Sequence, residues 1–126
     1  MSTQRTFILL AGLFALTAVI LGAFGAHALQ SRLESADTQA TWDTAVNYQM
    51  WHALALLTLA NYTLSGRTFK VALYCLSLGI PLFSGSLYWL ALDGPRWLGP
   101  ITPLGGLLFI IGWASVTLAA FKMRNE

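Results

Sequence analysis

The sequence predicts an all-α polytopic membrane protein, a single-domain four-helix bundle running up-down-up-down with both termini cytoplasmic. Four apolar runs carry the prediction, at about 7–29, 43–64, 68–92 and 103–121 of the 126 residues. Each is close to the ~20 residues that an α-helix needs to cross ~30 Å of hydrocarbon, where the backbone must satisfy its own hydrogen bonds. Composition agrees: 56% of residues are hydrophobic, 10% are charged, and mean hydropathy is +0.64. Soluble chains average about 25% charged residues. Charge placement supplies the orientation. With the termini inside, Arg5, Arg67, Lys70, Lys122 and Arg124 are cytoplasmic and only Arg32 and Arg96 lie outside, as the positive-inside rule favours. Of the acids, Glu34, Asp37, Asp43 and Asp93 then lie outside and Glu126 inside.

Span 1 follows Arg5 and ends near Ala26-His27-Ala28, which imitates a signal peptide with its A-x-A cleavage site. Its apolar stretch of about 18 residues exceeds the usual 7–15 of such segments, so an uncleaved span is expected. Ala18, Gly22 and Ala26 recur every four residues, with Ala11, Ala15 and Ala23 nearby. Such small residues let a neighbouring helix approach closely. The link from Gln30 to Trp42 is polar, and Ser35 or Asp37 is placed to cap the helix that becomes span 2. Ser65-Gly66-Arg67 reads as a tight turn, with Gly66 the left-handed residue that ends span 2.

Span 3 carries Pro81, which removes a backbone donor and clashes with the carbonyl of Ser77, so a bend over Ser77–Pro81 is expected. Ser84-Gly85-Ser86 follows within a turn and can supply hydroxyls to freed carbonyls. The glycines and prolines between Asp93 and Pro100 predict a non-helical outer loop. Thr102 then reads as the N-cap and Pro103 as the first residue of span 4. Gly105, Gly106 and Gly112 give that span a second packing seam. Trp42, Trp51, Trp89, Trp97, Tyr48 and Tyr88 gather toward the outer half, as an interfacial aromatic belt would.

Several function classes fall away. The seven basic residues are scattered and form no patch, which argues against nucleic acid. The single cysteine, Cys75, lies in span 3 and reads as a small buried hydrophobe, and no Cys/His spacing suggests zinc. No cofactor motif is present, and none is expected.

Topology places the strongly polar side chains together. His27 ends span 1, Asp43, Asn47 and His52 lie in the outer turns of span 2, Ser84 and Ser86 in outer span 3, and Thr102 starts span 4. His52 lies about 13 Å below Asp43 along the helix. Tyr48, Gln49 and His52 share one face, and Asp43 and Asn47 another. These seven residues are the candidate site. Polar groups in a bilayer usually face the bundle interior or a wet cavity. Two readings stand: an interhelical hydrogen-bond cluster in a structural or accessory module, and a pocket in an oligomeric protein that binds or transports a small solute, an ion or a lipid. An enzyme is not expected. Ser84 or Ser86 with His52 lacks a G-x-S-x-G elbow, His27, His52 and Asp43 lack an H-E-x-x-H helix, and two histidines alone do not make a haem site.

Four stretches also carry a resemblance: Gly22-Ala23-Phe24-Gly25-Ala26-His27-Ala28-Leu29, Trp42-Asp43-Thr44-Ala45-Val46-Asn47-Tyr48-Gln49-Met50-Trp51-His52-Ala53-Leu54, Phe83-Ser84-Gly85-Ser86-Leu87-Tyr88 and Gly99-Pro100-Ile101-Thr102-Pro103-Leu104-Gly105-Gly106. They resemble, in order, the signature stretches of domain of unknown function 423, also called uncharacterised protein family 0382, to which eukaryotic transmembrane protein 256 is similar. The chain looks like its bacterial inner-membrane form. The resemblance implies four spans in the cell membrane, with the lipid bilayer and a homo-oligomer or larger membrane complex as partners. It brings no activity, substrate or catalytic residue.

Overall fold

The computed structural model describes residues 2–62 and 66–123. Six α-helices follow in order: α1 Thr3–Ala26, α2 Gln30–Ser35, α3 Gln39–Asn61, α4 Arg67–Ile80, α5 Ser86–Ala91 and α6 Ile101–Met123. A π-helical segment, Pro81–Gly85, joins α4 to α5, and a 3₁₀ turn, Arg96–Leu98, precedes α6. Among the described residues there is no strand.

Three helical stretches are long and apolar enough to cross a membrane: Thr3–Ala26, Arg67–Ala91 and Arg96–Met123. Helix α3 is long enough, at 23 residues, but Asp43, Asn47, Gln49 and His52 lower its hydropathy. Three therefore qualify by apolarity where four runs were expected. Most of the exposed surface of α1 and α6 is large and apolar, including Leu13, Leu16, Val19, Leu107 and Ile110. A soluble monomer rarely shows contiguous apolar surface on this scale.

Local chemistry moves several boundaries. Ser2 caps α1 by accepting a 3.3 Å hydrogen bond from the Arg5 amide, so the first helix begins before the apolar run does. The segment expected to be a polar link contains α2, and Asp37 (φ 56°) is the left-handed residue that ends it. The Thr38 amide reaches back to the Leu33 carbonyl at 2.9 Å, closing a Schellman turn. Neither Ser35 nor Asp37 caps α3; its N-cap is Thr38, whose hydroxyl instead donates to the Ala91 carbonyl at 2.9 Å. Asp93 (φ 62°) ends α5 in the same way as Asp37 ends α2, with the Gly94 amide on the Trp89 carbonyl.

Gly66 does adopt positive φ, at 133°, but it stands directly before α4 rather than ending α3, which closes at Tyr62. Ser65 lies outside the described residues. The loop between α5 and α6, expected to be non-helical, is not free of helix, since Arg96–Leu98 forms one 3₁₀ turn. Helix α6 begins at Ile101, so Thr102 and Pro103 sit inside its first turn and Thr102 is not its cap.

The irregularity between α4 and α5 lies at Pro81–Gly85, just beyond the expected bend over Ser77–Pro81, and takes the form of a π segment. Such bulges accommodate a residue that cannot join the α ladder. The nearby hydroxyls do not serve Ser77. The Ser86 hydroxyl lies against the carbonyls of Leu82 and Phe83, at 2.6 and 2.9 Å, inside the loosened turn. Ser84 reaches α3, and Ser77 donates to its own helix at Leu73.

Two tight seams hold the helices together. Along α1 and α3, Trp42 contacts the Leu21 carbonyl and Gln49 the Phe14 carbonyl, so the pair is antiparallel. The buried small residues of α1 are Ala11, Ala18 and Gly25; Ala23 and Ala26 are exposed. Gly25 is covered by the Trp42 indole, so a Cβ there would collide with the ring. Along the α4–π segment and α6, Gly79 faces Phe109, Gly105 faces Phe83 and Gly112 faces Leu76, again antiparallel. Phe7, Leu56, Leu59, Phe69, Leu73, Leu76, Ile80 and Phe109 fill the space between the seams. At the end opposite the α5–α6 loop, Lys122 Nζ donates to the Thr68 hydroxyl at 2.8 Å.

Candidate functional site: a hydrogen-bonded core beside an apolar groove

Helix α3 carries the polar core because Ala45, Gln49, His52 and Leu56 recur on its buried face. Gln49 is the central node. Its Nε2 donates to the Phe14 carbonyl at 2.8 Å and lies 2.7 Å from the Thr17 hydroxyl, both on α1. Its Oε1 accepts from the Tyr88 hydroxyl of α5 at 2.7 Å. One amide thus ties three helices. Above it, Trp42 Nε1 donates to the Leu21 carbonyl at 2.9 Å, and the indole packs edge-on against Tyr88, with ring centroids 4.8 Å apart. Ser84, 1% exposed, donates to the Ala45 carbonyl at 2.7 Å.

His52 belongs to a second group. Its Nδ1 lies 2.7 Å from the Tyr48 carbonyl and its Nε2 accepts from Trp113 Nε1 at 3.1 Å. A carbonyl only accepts and an indole N–H only donates, which assigns the Nδ1–H tautomer. Both ring nitrogens are then engaged. The imidazole stacks on Phe109 at 3.6 Å between centroids, with planes 9° apart.

The sequence grouped His27, Asp43, Asn47, His52, Ser84, Ser86 and Thr102 as one site, and the structure separates them. Ser86 and Thr102 do meet, at 2.6 Å between hydroxyl oxygens. Ser84 joins the Gln49 side and His52 the Trp113 side. His27, Asp43 and Asn47 are exposed. Asp43 accepts only from Gln39 Nε2 of its own helix, and among the described residues neither His27 nor Asn47 makes a side-chain hydrogen bond. The reason is angular: Asp43 and Asn47 are placed off the buried face that holds Ala45, Gln49 and His52. His27 sits on the C-cap of α1, with its carbonyl committed to the turn into α2 and its ring turned outward. Sequence reasoning put Gln49 on the His52 face without counting it in the site, and took Trp42 and Tyr88 for the aromatic belt. Trp42 is 2% exposed, whereas Trp51, Trp89 and Trp97 are exposed as a belt requires.

Beside His52, a groove of about 790 Å³ runs between α3 and α6, walled by Trp51, Phe83, Leu107, Ile110 and Trp113. No group of three or more His, Cys, Asp or Glu that could hold a metal ion occurs among the described residues. Among the described residues no serine hydroxyl is hydrogen-bonded to His52, and Ser84 and Ser86 are bonded elsewhere.

Comparison with known proteins adds a family. The family described as "Protein of unknown function (DUF423)" matches residues 21–106, the part that holds Trp42, Gln49, His52, Ser84, Tyr88 and Gly105. A UPF0382 membrane protein of Staphylococcus haemolyticus is 46% identical over 122 residues, covering 94% of this chain and 98% of that protein. One from Bacillus subtilis is 46% identical with the same coverage. One from Haemophilus influenzae is 41% identical over 95% of this chain and 94% of its own length. No solved structure matches the chain. With near full-length identity to these proteins and a family match across its polar core, the chain belongs to the DUF423 (UPF0382) family of membrane proteins.

Proposed function

We propose that the chain is a four-span module of the bacterial inner membrane, up-down-up-down with cytoplasmic termini, which acts as a structural or accessory element rather than an enzyme. The observation that carries this reading is the saturation of its polar core. Gln49, His52, Ser84 and Ser86 are all bonded within the protein, and Gln39 Oε1 is the single buried side-chain atom without a partner among the described residues. A solute or ion site needs free donors or acceptors, and a catalytic histidine needs a free nitrogen. On this reading α3 crosses the membrane shielded by its neighbours, which explains its low hydropathy. The antiparallel seams favour alternating spans, and the excess of basic residues at the termini and the α3–α4 turn favours their cytoplasmic placement.

Reporter fusions after Glu126, and in the loop at Arg96, test the topology. A cytoplasm-active reporter will work at the first site and a periplasm-active one at the second; the reverse pattern would defeat the four-span reading. Protein level separates the functional classes. His52→Ala and Ser84→Ala will lower abundance, because each removes a buried side chain that bonds a neighbouring helix. If both variants accumulate like wild type and lose a ligand-induced thermal shift that wild type shows, the structural reading gives way to a binding one.

A further inference from the structure

The groove between α3 and α6 is large, and among its described lining side chains only the Tyr48 hydroxyl and Trp51 Nε1 are polar groups without a hydrogen bond. Its imidazole, His52, is engaged at both nitrogens, and Trp113 spends its only donor on that ring. The rest of the lining is apolar and aromatic surface. The walls open sideways: Trp51 is 57% exposed, Ile110 67% and Trp113 44%. On α6 the lining runs from Pro103 to Trp113, about 15 Å along the helix axis. That is the depth of one leaflet, half of a ~30 Å hydrocarbon core. Pro103 stands beside the Ser86–Thr102 hydroxyl pair at the start of α6, and Trp113 lies near the midpoint of that helix; on the four-span reading these are the outer end and mid-membrane. Gly106 keeps the floor low: a Cβ built there meets only the Phe83 ring, at 3.7 Å.

From these features we infer that the groove is a seat for one acyl chain of an outer-leaflet phospholipid, recognised by shape and depth and not by its headgroup. Its α6 lining follows the helix, as an acyl chain in one leaflet would, over about the depth of that leaflet. An unfilled groove of this volume would forfeit dispersion contacts along its whole lining. A lipid chain restores them without any polar pairing. A second copy of the protein would need a complementary ridge, whereas a chain adapts to the irregular wall formed by Trp51 and Trp113. The inference rests on the four-span reading, since only then does the groove face hydrocarbon.

The test uses the full chain in vesicles of bacterial phospholipid doped with a phospholipid that carries a photoreactive diazirine on one acyl chain. Labelled residues are mapped by mass spectrometry. Leu13, Leu16 and Val19 of α1 are 57%, 57% and 61% exposed and serve as internal controls for passing lipid. The groove residues Trp51, Ile110 and Trp113 will be labelled several-fold more than those controls. Gly106→Leu will fill the floor and erase the excess while leaving α1 labelling unchanged. Should Gly106→Leu fail to fold, as judged by helicity and a single elution peak, Ile110→Trp obstructs the groove from its exposed side. Equal labelling of groove and α1 would overturn the proposal while leaving the spans intact. Protection of the groove from lipid, with Ile110→Cys forming disulfide dimers, would overturn it in favour of a second copy. Failure of the topology fusions would instead remove the four-span reading itself.

Discussion

Gly105→Leu will leave little folded protein. Helix α6 touches the π segment at that point, and a Cβ on Gly105 would fall on the backbone nitrogen, Cα and Cβ of Phe83. A flexible side chain can swing aside; a backbone held by its own ladder cannot. Overpacking in a well-packed core costs about 1–3 kcal/mol and occasionally more, and the contact with main chain puts this site at about 3 kcal/mol or above. In the bilayer, small residues at helix contacts carry much of the association, so the damage falls on the α4–α6 seam as a whole. Two comparisons isolate the cause. Gly112→Ala meets the end of the Leu76 side chain at 2.9 Å, which can yield, and will cost about 1 kcal/mol. Gly12→Ala meets nothing within 4 Å and will be neutral or slightly stabilising. Reversible denaturation in mixed micelles, followed by circular dichroism, measures all three. A Gly105→Leu protein as stable as Gly12→Ala would show that the α6–π contact does not hold the fold.

The sequence made the class legible because hydropathy and length are one-dimensional properties, and lipid imposes them on each span separately. It also made the glycine seam on α6 legible, since Gly105 and Gly112 lie a heptad apart and both are buried against α4 and the π segment. The α1 seam was harder. A four-residue stripe drifts around an α-helix, and the contact follows Ala11, Ala18 and Gly25, a seven-residue spacing, so Ala26 leaves the interface while Gly25 enters it. Tryptophan was ambiguous for a different reason: the same ring suits an interfacial belt and a buried hydrogen bond. Only the Leu21 carbonyl, 21 positions away, decides that Trp42 is the latter. The polar site was not legible as a partition. Position along each helix can be read from the sequence, whereas partnership depends on how neighbouring helices are rotated. That rotation sends His52 toward α6, Gln49 toward α1 and α5, and Asp43 and Asn47 to the surface.

Gln49→Leu will destabilise the protein by about 2–3 kcal/mol, the largest effect expected of any single polar substitution. Three hydrogen bonds vanish, and the two that cross to α1 are the main polar links in that pair besides the one from Trp42. Interhelical hydrogen bonds in membranes average ~0.6 kcal/mol and reach ~1.7, so their loss alone accounts for about 2. The remainder comes from the Tyr88 hydroxyl, which is left without its acceptor in a half-buried, apolar setting. Tyr88→Phe removes the same bond from the other side and leaves Gln49 its two bonds to α1, so it will cost only about 1 kcal/mol. In the double variant the stranded hydroxyl no longer exists. Its total will therefore fall short of the sum of the two single costs by about 1 kcal/mol, the coupling that a double-mutant cycle reads directly. Thr17→Ala, tested alone, will cost less than either, because Gln49 Nε2 keeps the Phe14 carbonyl. Additive single costs would mean that Gln49 and Tyr88 act independently, and that the amide does not tie α1 to α5 through α3.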